Sequence, residues 1–156
     1  MTTLLQINAS INNDNSQSSR LANQFVQAFR DSHPGAQILL RQVAANEPVP
    51  HLDGERFSAF ITPPEARNAA QHAVVAYSDK GAVGLLTGKK AYVFAARGGQ
   101  YVGTPLDTQT GYVRDFLRFV GIGDVEFVYA EGLNLSPQSK EAGLAKAAAE
   151  IARLAA

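Results

Sequence analysis

With 156 residues, of which 46% are hydrophobic, the chain is long enough to form one domain with a substantial core. Basic and acidic residues balance at 14 each without a basic run, which argues against nucleic acid and anionic membranes as partners. The absence of cysteine excludes disulfides and cysteine-based zinc sites, and no apolar stretch approaches the roughly 20 residues of a membrane span.

A serine-rich loop lies between the first predicted strand, Thr3–Asn8, which we expect to be buried, and the first predicted helix. The first turn of a helix has N–H groups without partners and carries the positive end of the helix dipole, so it favours an anion. Ser16, Gln17 and Ser18 would add side-chain donors there, and Ser10 lies just beyond the strand. The loop predicts a site for a phosphorylated cofactor, with ordinary helix capping by serine as the alternative.

The same loop lacks the glycine spacing of the common nucleotide motifs. It matches neither G-x-x-x-x-G-K-S/T nor G-x-G-x-x-G, which disfavours a mononucleotide P-loop and a dinucleotide fingerprint. No G-x-S-x-G elbow is present, so we set hydrolase chemistry aside. The three histidines, His33, His51 and His72, lack ligand spacing, and we expect no bound metal.

The first half of the chain is predicted to alternate between strand and helix. The helix after the serine loop should end near residues 33–35, where proline and glycine occur, and a second strand is predicted at 38–40. Residues 44–62 are irregular and predict a long surface excursion, and a helix is predicted over 62–80. The apolar faces of the two helices comprise Leu21, Phe25, Val26 and Phe29 in the first, and Ala66, Ala70, Ala73, Val74 and Tyr77 in the second.

A second candidate site follows the apolar segment Ala91–Ala96, which predicts a strand. Arg97, Gly98 and Gly99 come directly after it. Glycines at this place permit close approach of the backbone to a flat ligand, although they are equally ordinary turn residues. Their position at the carboxyl end of a strand, like that of the serine loop, favours the ligand site.

The remaining pattern predicts a helix over 107–120, a strand over 125–130 and a last helix that Ser136 caps and Pro137 opens. Strands that alternate with helices predict a parallel three-layer α/β fold, in which ligands bind beyond the carboxyl ends of the strands. The residues predicted to face inward are Tyr112, Phe116, Phe119 and Val120 in the first of these helices, and Leu144, Ala148, Ile151 and Leu154 in the last.

Several of these motifs together resemble one enzyme family. With Ser10, the Ser16–Ser18 loop, Arg97–Gly99, the run 116–124 and Glu131 followed by Gly132, the sequence resembles the FMN-dependent NADH-azoreductases, which are flavodoxin-like quinone reductases. The resemblance covers essentially the whole chain. It implies a flavodoxin-like three-layer α/β/α sandwich, FMN as cofactor, NADH as electron donor and two-electron reduction of quinones and azo bonds. It also implies a homodimer, for which residues 44–62 and the helix after them are candidate interface segments, and we expect a cytoplasmic protein.

The resemblance also assigns roles to individual residues. It implies no side-chain nucleophile, because the cofactor carries the chemistry. The family usually has serine where this chain has Ala96. For Arg97 two roles stay open: a cation near N1 and the C2 carbonyl of the flavin, or a surface ion pair. The implied FMN contacts are Ser10, Ser16, Gln17 and Ser18 at the phosphate, and Ala96, Arg97, Gly98 and Gly99 at the edge of the isoalloxazine ring.

The resemblance breaks between Asp79 and Lys80, where the family has a third strand, a Met-Tyr-Asn-Phe-type flavin loop and another helix. At least one strand-plus-helix unit, roughly 30 residues or more, is absent. That strand is central in the flavodoxin-like order 2-1-3-4-5. Its neighbours should either pair directly, after a shift of about 4.8 Å that narrows the flavin slot, or keep open edges that another chain covers. The absent loop favours an alternative: a shortened, non-catalytic member with weak or no flavin binding.

Overall fold

The computed structural model describes residues 2–12, 15–43, 53–59, 62–67, 74–79 and 81–156. No helix in these ranges is long and apolar enough to cross a membrane. Two compact units are present: residues 1–49, 93–101 and 127–156 belong to unit 1, and residues 50–92 and 102–126 to unit 2. The described elements are β1 (Thr3–Asn8), α1 (Gln17–Ser32), β2 (Gln37–Gln42), α2 (Gly54–Ser58), a 3-10 turn (Pro64–Ala66), β3 (Val75–Ser78), β4 (Gly81–Gly84), β5 (Lys90–Ala96), α3 (Thr108–Phe119), β6 (Asp124–Ala130) and α4 (Pro137–Ala155).

Two parallel strand pairs confirm the predicted α/β class. β1 pairs with β2 in parallel, with Thr3 opposite Gln37 and Asn8 opposite Gln42. β5 pairs with β6 in a separate two-stranded sheet. Lys90, which begins β5, forms ion pairs with Asp124 and Glu126 near the start of β6. The two strands therefore run in the same direction.

The structure shows how the strands are arranged without the central strand of the family. In the described residues β1 and β5 belong to different sheets, so of the two predicted alternatives direct pairing of these strands is wrong. Direct pairing requires two backbones about 4.8 Å apart over several residues. Instead, α1 packs against β5: the Phe25 ring of α1 lies 5.4 Å from the Phe94 ring of β5. Among the described residues, each of these strands has one edge without a strand partner.

The core of unit 1 lies where α1 and α4 pack together and meet β6. Leu21 and Phe25 of α1, Val128 of β6 and Ile151 of α4 are buried. The Ser32 hydroxyl of α1 donates a hydrogen bond to the carbonyl oxygen of Ala155 at 2.5 Å, which joins the ends of the two helices. The predicted stripe on α4 is wrong in one position: Ala148 is exposed, whereas the helix buries Ala147, Ile151 and Ala155.

β1 forms as predicted but is not a buried strand. Leu5 and Ile7 are more than half exposed. On the other side of the strand, the Gln6 amide donates hydrogen bonds to the side chains of Asn8 and, on α1, Asn23. A parallel strand is buried on both faces only where helices cover both faces of its sheet. In unit 1, α1 contacts the face of β1 that carries Gln6, and the face with Leu5 and Ile7 is exposed.

In unit 2, a hairpin replaces part of a predicted helix. β3 and β4 pair antiparallel, with Val75 opposite Gly84 and Ser78 opposite Gly81, so the helix predicted over 62–80 is wrong at these positions. Valine at 74 and 75 favours extended backbone, and Gly81 adopts a φ of 106° that side chains disfavour. Residues 68–73 of that prediction, and residues 44–52, 60 and 61 of the predicted excursion, lie outside the described residues.

α3 forms as predicted, with Asp107 as its cap, but its aromatic face is exposed. The prediction that Tyr112, Phe116 and Phe119 face inward is wrong, because all three are exposed and only Val120 is buried. Within unit 2, the carboxyl end of this helix contacts the segment after β4: the Leu86 N–H donates a hydrogen bond to the Val120 carbonyl oxygen at 2.9 Å. Packing at one end of a helix leaves its preceding turns uncovered.

Candidate functional site

The serine loop caps α1 and retains unused donors. Ser16 is the N-cap residue, and its hydroxyl accepts a hydrogen bond from the Ser19 N–H at 3.5 Å. The Ser16 and Ser18 hydroxyl oxygens lie 2.8 Å apart, and Ser16 is 8% exposed. The N–H groups of Gln17 and Ser18 have no backbone acceptor among the described residues. Capping is therefore confirmed for Ser16, and the free donors leave room for an anion as well.

Ser10 has a different position in the loop. Its hydroxyl accepts a hydrogen bond from the Asn12 N–H at 3.3 Å, and the Asn15 N–H donates to the Asn12 carbonyl at 3.0 Å. These local bonds join residues 10, 12 and 15 between β1 and α1. The structure thus brings Ser16 and Ser18 together, whereas Ser10 supports the turn before them.

The glycine loop after β5 uses its carbonyl groups and leaves two N–H groups unused. The Arg97 N–H donates to the Ala130 carbonyl at 2.8 Å, which extends the bonding between β5 and β6. The N–H groups of Gly98 and Gly99 have no backbone acceptor among the described residues, and Ala96, at the end of β5, is exposed. The carbonyl oxygens of Arg97, Gly98 and Gly99 accept from the N–H groups of Leu133 at 3.1 Å, Asn134 at 3.0 Å and Gly132 at 2.8 Å, respectively.

Side-chain ends lie close to both glycines of this loop. A Cβ atom on Gly98 would lie 2.9 Å from the amide nitrogen of Asn134. One on Gly99 would lie 2.7 Å from the ring of Tyr101. A larger residue at either position would therefore require the Asn134 or the Tyr101 side chain to move, which flexible side-chain ends can do at low cost.

Arg97 forms an ion pair that is largely buried. Its Nη1 atom lies 3.2 Å from Oε1 of Glu131, and the side chains of the two residues are 9% and 18% exposed. The guanidinium also lies over the ring of Tyr129, 5.0 Å from its centroid, in cation–π geometry. The structure thus supports the ion-pair role considered for Arg97, although the pair is not at the surface as expected.

Sequence reasoning missed Glu131 and Tyr101 as parts of this site. The same Oε1 atom of Glu131 that pairs with Arg97 accepts a hydrogen bond from the Tyr101 N–H at 2.9 Å. A signal was present: Arg97 is the first residue after β5, and Glu131 is the first after β6. Opposite charges at equivalent positions of neighbouring parallel strands meet at the same sheet edge.

Gly143 allows α4 to pass close to Glu131, since a Cβ atom there would collide with the Glu131 carbonyl oxygen. We expect Gly143→Ala to lower the free energy of unfolding by about 2 kcal/mol, because the collision is with a backbone atom and the overpacking cost is at the upper end of its range. Overpacking costs about 1–3 kcal/mol, and the better helix propensity of alanine offsets about 1 kcal/mol of it. Urea unfolding measures this change.

The matched control is Gly111→Ala in α3, where an added Cβ atom meets nothing within 4 Å. This variant should raise the free energy of unfolding by about 1 kcal/mol through helix propensity alone. An equal stabilisation by both substitutions would show that α4 does not lie this close to Glu131.

Comparison with known proteins identifies relatives along the whole chain. A family model described as "Flavodoxin-like fold" matches residues 2–79 and 69–155. An FMN-dependent NADH:quinone oxidoreductase of Cellvibrio japonicus is 40% identical over an alignment of 191 residues, which covers 94% of this chain and 96% of the relative. An FMN-dependent NADH:quinone oxidoreductase 6 of Burkholderia lata is 38% identical over 197 residues, covering 97% and 99%. Because 191 exceeds 156, at least 35 positions of the first alignment have no residue in this chain.

Solved structures share the fold at low sequence identity. A crystal structure of an azoreductase from Bacillus anthracis strain Sterne has a TM-score of 0.78 at 19% identity and covers 99% of both chains. An FMN-dependent NADH-azoreductase from Bacillus anthracis strain Ames Ancestor, in complex with FMN, has a TM-score of 0.74 at 19% identity, with complete coverage of both chains. These likenesses confirm the predicted flavodoxin-like fold. The family model and the two relatives show that the chain belongs to the flavodoxin-like family of the FMN-dependent NADH:quinone oxidoreductases.

Proposed function

We propose that this chain is an FMN-dependent NADH:quinone oxidoreductase that transfers two electrons from NADH to quinones and to azo bonds. The observation that carries the proposal is the 40% identity to the Cellvibrio japonicus quinone oxidoreductase over 94% of this chain. That share of the sequence is too large to leave out both candidate loops. The fold likeness to azoreductases agrees with the proposal.

The residues at the two loops fit FMN. The start of α1 offers the free N–H groups of Gln17 and Ser18 and the paired hydroxyls of Ser16 and Ser18 to a phosphate, whose negative charge suits the helix dipole. The free N–H groups of Gly98 and Gly99 suit the carbonyl acceptors of a flat ring. Ser10 and Ala96, which lie near the ends of β1 and β5, complete the proposed cofactor-binding set.

The chain's own part in the reaction is to bind, orient and supply dipoles. Bound FMN would supply the hydride and electron transfer, so no side chain needs to act as nucleophile. Because Glu131 compensates the charge of Arg97, the main stabilisation of negative charge on a bound ring comes from the Gly98 and Gly99 N–H groups. This differs from one of the two roles considered for Arg97, that of a cation at the flavin.

The test is NADH oxidation in the presence of a water-soluble quinone. We expect purified protein with added FMN to oxidise NADH at a rate that requires protein, FMN and quinone together. Free FMN at the same concentration is the control, because free flavin reacts slowly by itself. A rate equal to that of the control would contradict the proposal.

A second candidate function has its own structural support. At least 35 aligned positions of the Cellvibrio japonicus relative have no counterpart here, and β1 and β5 lie in separate sheets. These observations favour a shortened family member that binds FMN weakly or not at all. It would show no saturable FMN binding at tens of micromolar, although its fold would be intact.

The resemblance supports three further proposals: residues 1–156 act as one domain, the protein is a homodimer, and it is cytoplasmic. Sedimentation equilibrium tests the second of them. We expect the mass of a dimer, and a monomer at all concentrations would contradict it.

A further inference from the structure

One carboxylate oxygen holds both ends of the glycine loop. Oε1 of Glu131 lies 3.2 Å from Nη1 of Arg97 and accepts the Tyr101 N–H at 2.9 Å. The three residues after Glu131, at positions 132–134, donate to the carbonyl oxygens of residues 97–99. Glu131 and the segment that follows it therefore determine the path of residues 97–101.

We infer that Glu131 is a positioning residue for the cofactor: it orders residues 97–101 so that the Gly98 and Gly99 N–H groups stay free for a ligand, and it compensates the charge of Arg97. This inference rests on the proposed function. Residues 97–99 use their carbonyl groups within the protein, whereas the N–H groups of Gly98 and Gly99 have no backbone acceptor among the described residues and are available to a ligand. Ordering these donors before a ligand binds lowers the entropic cost of binding.

The charge compensation follows from burial. Arg97 is 9% exposed and lies against the Tyr129 ring, where a cation needs a partner. Replacing Glu131 by glutamine keeps an oxygen for the Tyr101 N–H and removes the negative charge. Without the negative charge of Glu131, the Arg97 cation would stabilise a reduced, anionic ring more strongly, which raises the reduction potential of bound FMN. Alanine would remove the charge and the acceptor together.

Two variants, Glu131→Gln and Glu131→Ala, separate these effects. The matched controls are Glu150→Gln and Glu150→Ala on α4, where an Arg153 hydrogen bond lowers the pKa of an exposed carboxylate. In the full chain without FMN, amide hydrogen exchange followed by NMR reports on the Tyr101 N–H. With FMN, fluorescence quenching gives the dissociation constant, and anaerobic redox titration gives the potential.

We expect Glu131→Ala to speed exchange of the Tyr101 N–H by about tenfold or more and to weaken FMN binding by a similar factor, since a hydrogen bond to a charged group is lost. Glu131→Gln should leave Tyr101 exchange within about threefold and raise the potential of bound FMN. Tyr101 exchange in Glu131→Ala equal to that in Glu150→Ala would overturn the positioning role. An unchanged potential in Glu131→Gln would overturn the charge compensation.

The arms of the experiment distinguish this inference from the proposed function. If Glu131→Ala does not fold, Glu131→Leu, which keeps the side-chain volume and removes the acceptor, replaces it in the exchange measurement, while the potential in Glu131→Gln still decides the charge compensation. If the unsubstituted chain does not bind FMN, the proposed function fails. Amide exchange in the flavin-free chain then still supports or overturns the ordering of residues 97–101 by Glu131.

Discussion

Ser18→Asp is expected to weaken FMN binding by more than about tenfold while leaving the free energy of unfolding nearly unchanged. The Ser18 hydroxyl lies 2.8 Å from that of Ser16 at the start of α1, so a carboxylate here would stand beside the bound phosphate. Two like charges a few ångströms apart near a protein surface repel by several kcal/mol. An acidic residue in the first turn of a helix favours the helix itself, so the fold should tolerate the change.

The measurement is the dissociation constant for FMN, with urea unfolding as the check on stability. Gln138→Asp is the matched control, because residue 138 is the second residue of α4 as Ser18 is of α1. It adds the same charge at a helix start outside the proposed site and should leave the affinity unchanged. If Ser18→Asp binds FMN as tightly as this control, the phosphate does not bind at the serine loop.

Phe25→Ala should lower the free energy of unfolding by about 3–5 kcal/mol, the usual cost of removing a buried aromatic ring. Phe25 is 1% exposed, and its ring lies 5.9 Å from that of Phe29 and 5.4 Å from that of Phe94. It links α1 to β5 in unit 1, where these two elements carry the two proposed binding loops. The loss would be a large part of the roughly 5–15 kcal/mol that stabilises an ordinary domain.

Urea unfolding compares this variant with Phe116→Ala in α3, which removes the same ring from a side chain that is 53% exposed. The control should change the free energy of unfolding by less than about 1 kcal/mol. Equal losses in the two variants would contradict the assignment of Phe25 to the core.

Local sequence patterns predicted most element positions well. β1 has the predicted bounds, α1 ends at Ser32 just before the predicted break, and α4 begins at Pro137 after the predicted Ser136 cap. Strand alternation, caps and breakers act over a few residues, so the sequence alone displays them. The burial of side chains was predicted less well, because it depends on which other element packs against a given face of a helix or strand. Tyr112 and Phe116 have helical spacing, yet both are exposed.

The hairpin of β3 and β4 shows a second reason for error. Apolar residues at 74 and 77 fit helical spacing, but the valines and Gly81 fit a hairpin equally, and partner strands decide between the two. In the candidate site, the loops could be predicted because serine and glycine have characteristic uses at helix starts and strand ends. The contacts of Glu131 with Arg97 and Tyr101 span 34 and 30 residues of sequence, so they could be predicted only by pairing β5 with β6, which places Arg97 and Glu131 at the same sheet edge.

The central claim is that the two loops present in this chain suffice to hold FMN for reduction by NADH. An anaerobic titration of the purified chain with FMN tests it most directly, followed by addition of NADH while flavin absorbance is recorded. We predict saturable quenching of flavin fluorescence and then bleaching of the bound flavin. Absence of saturable binding at tens of micromolar FMN, in protein that unfolds cooperatively, would contradict the claim and favour the shortened, non-catalytic family member.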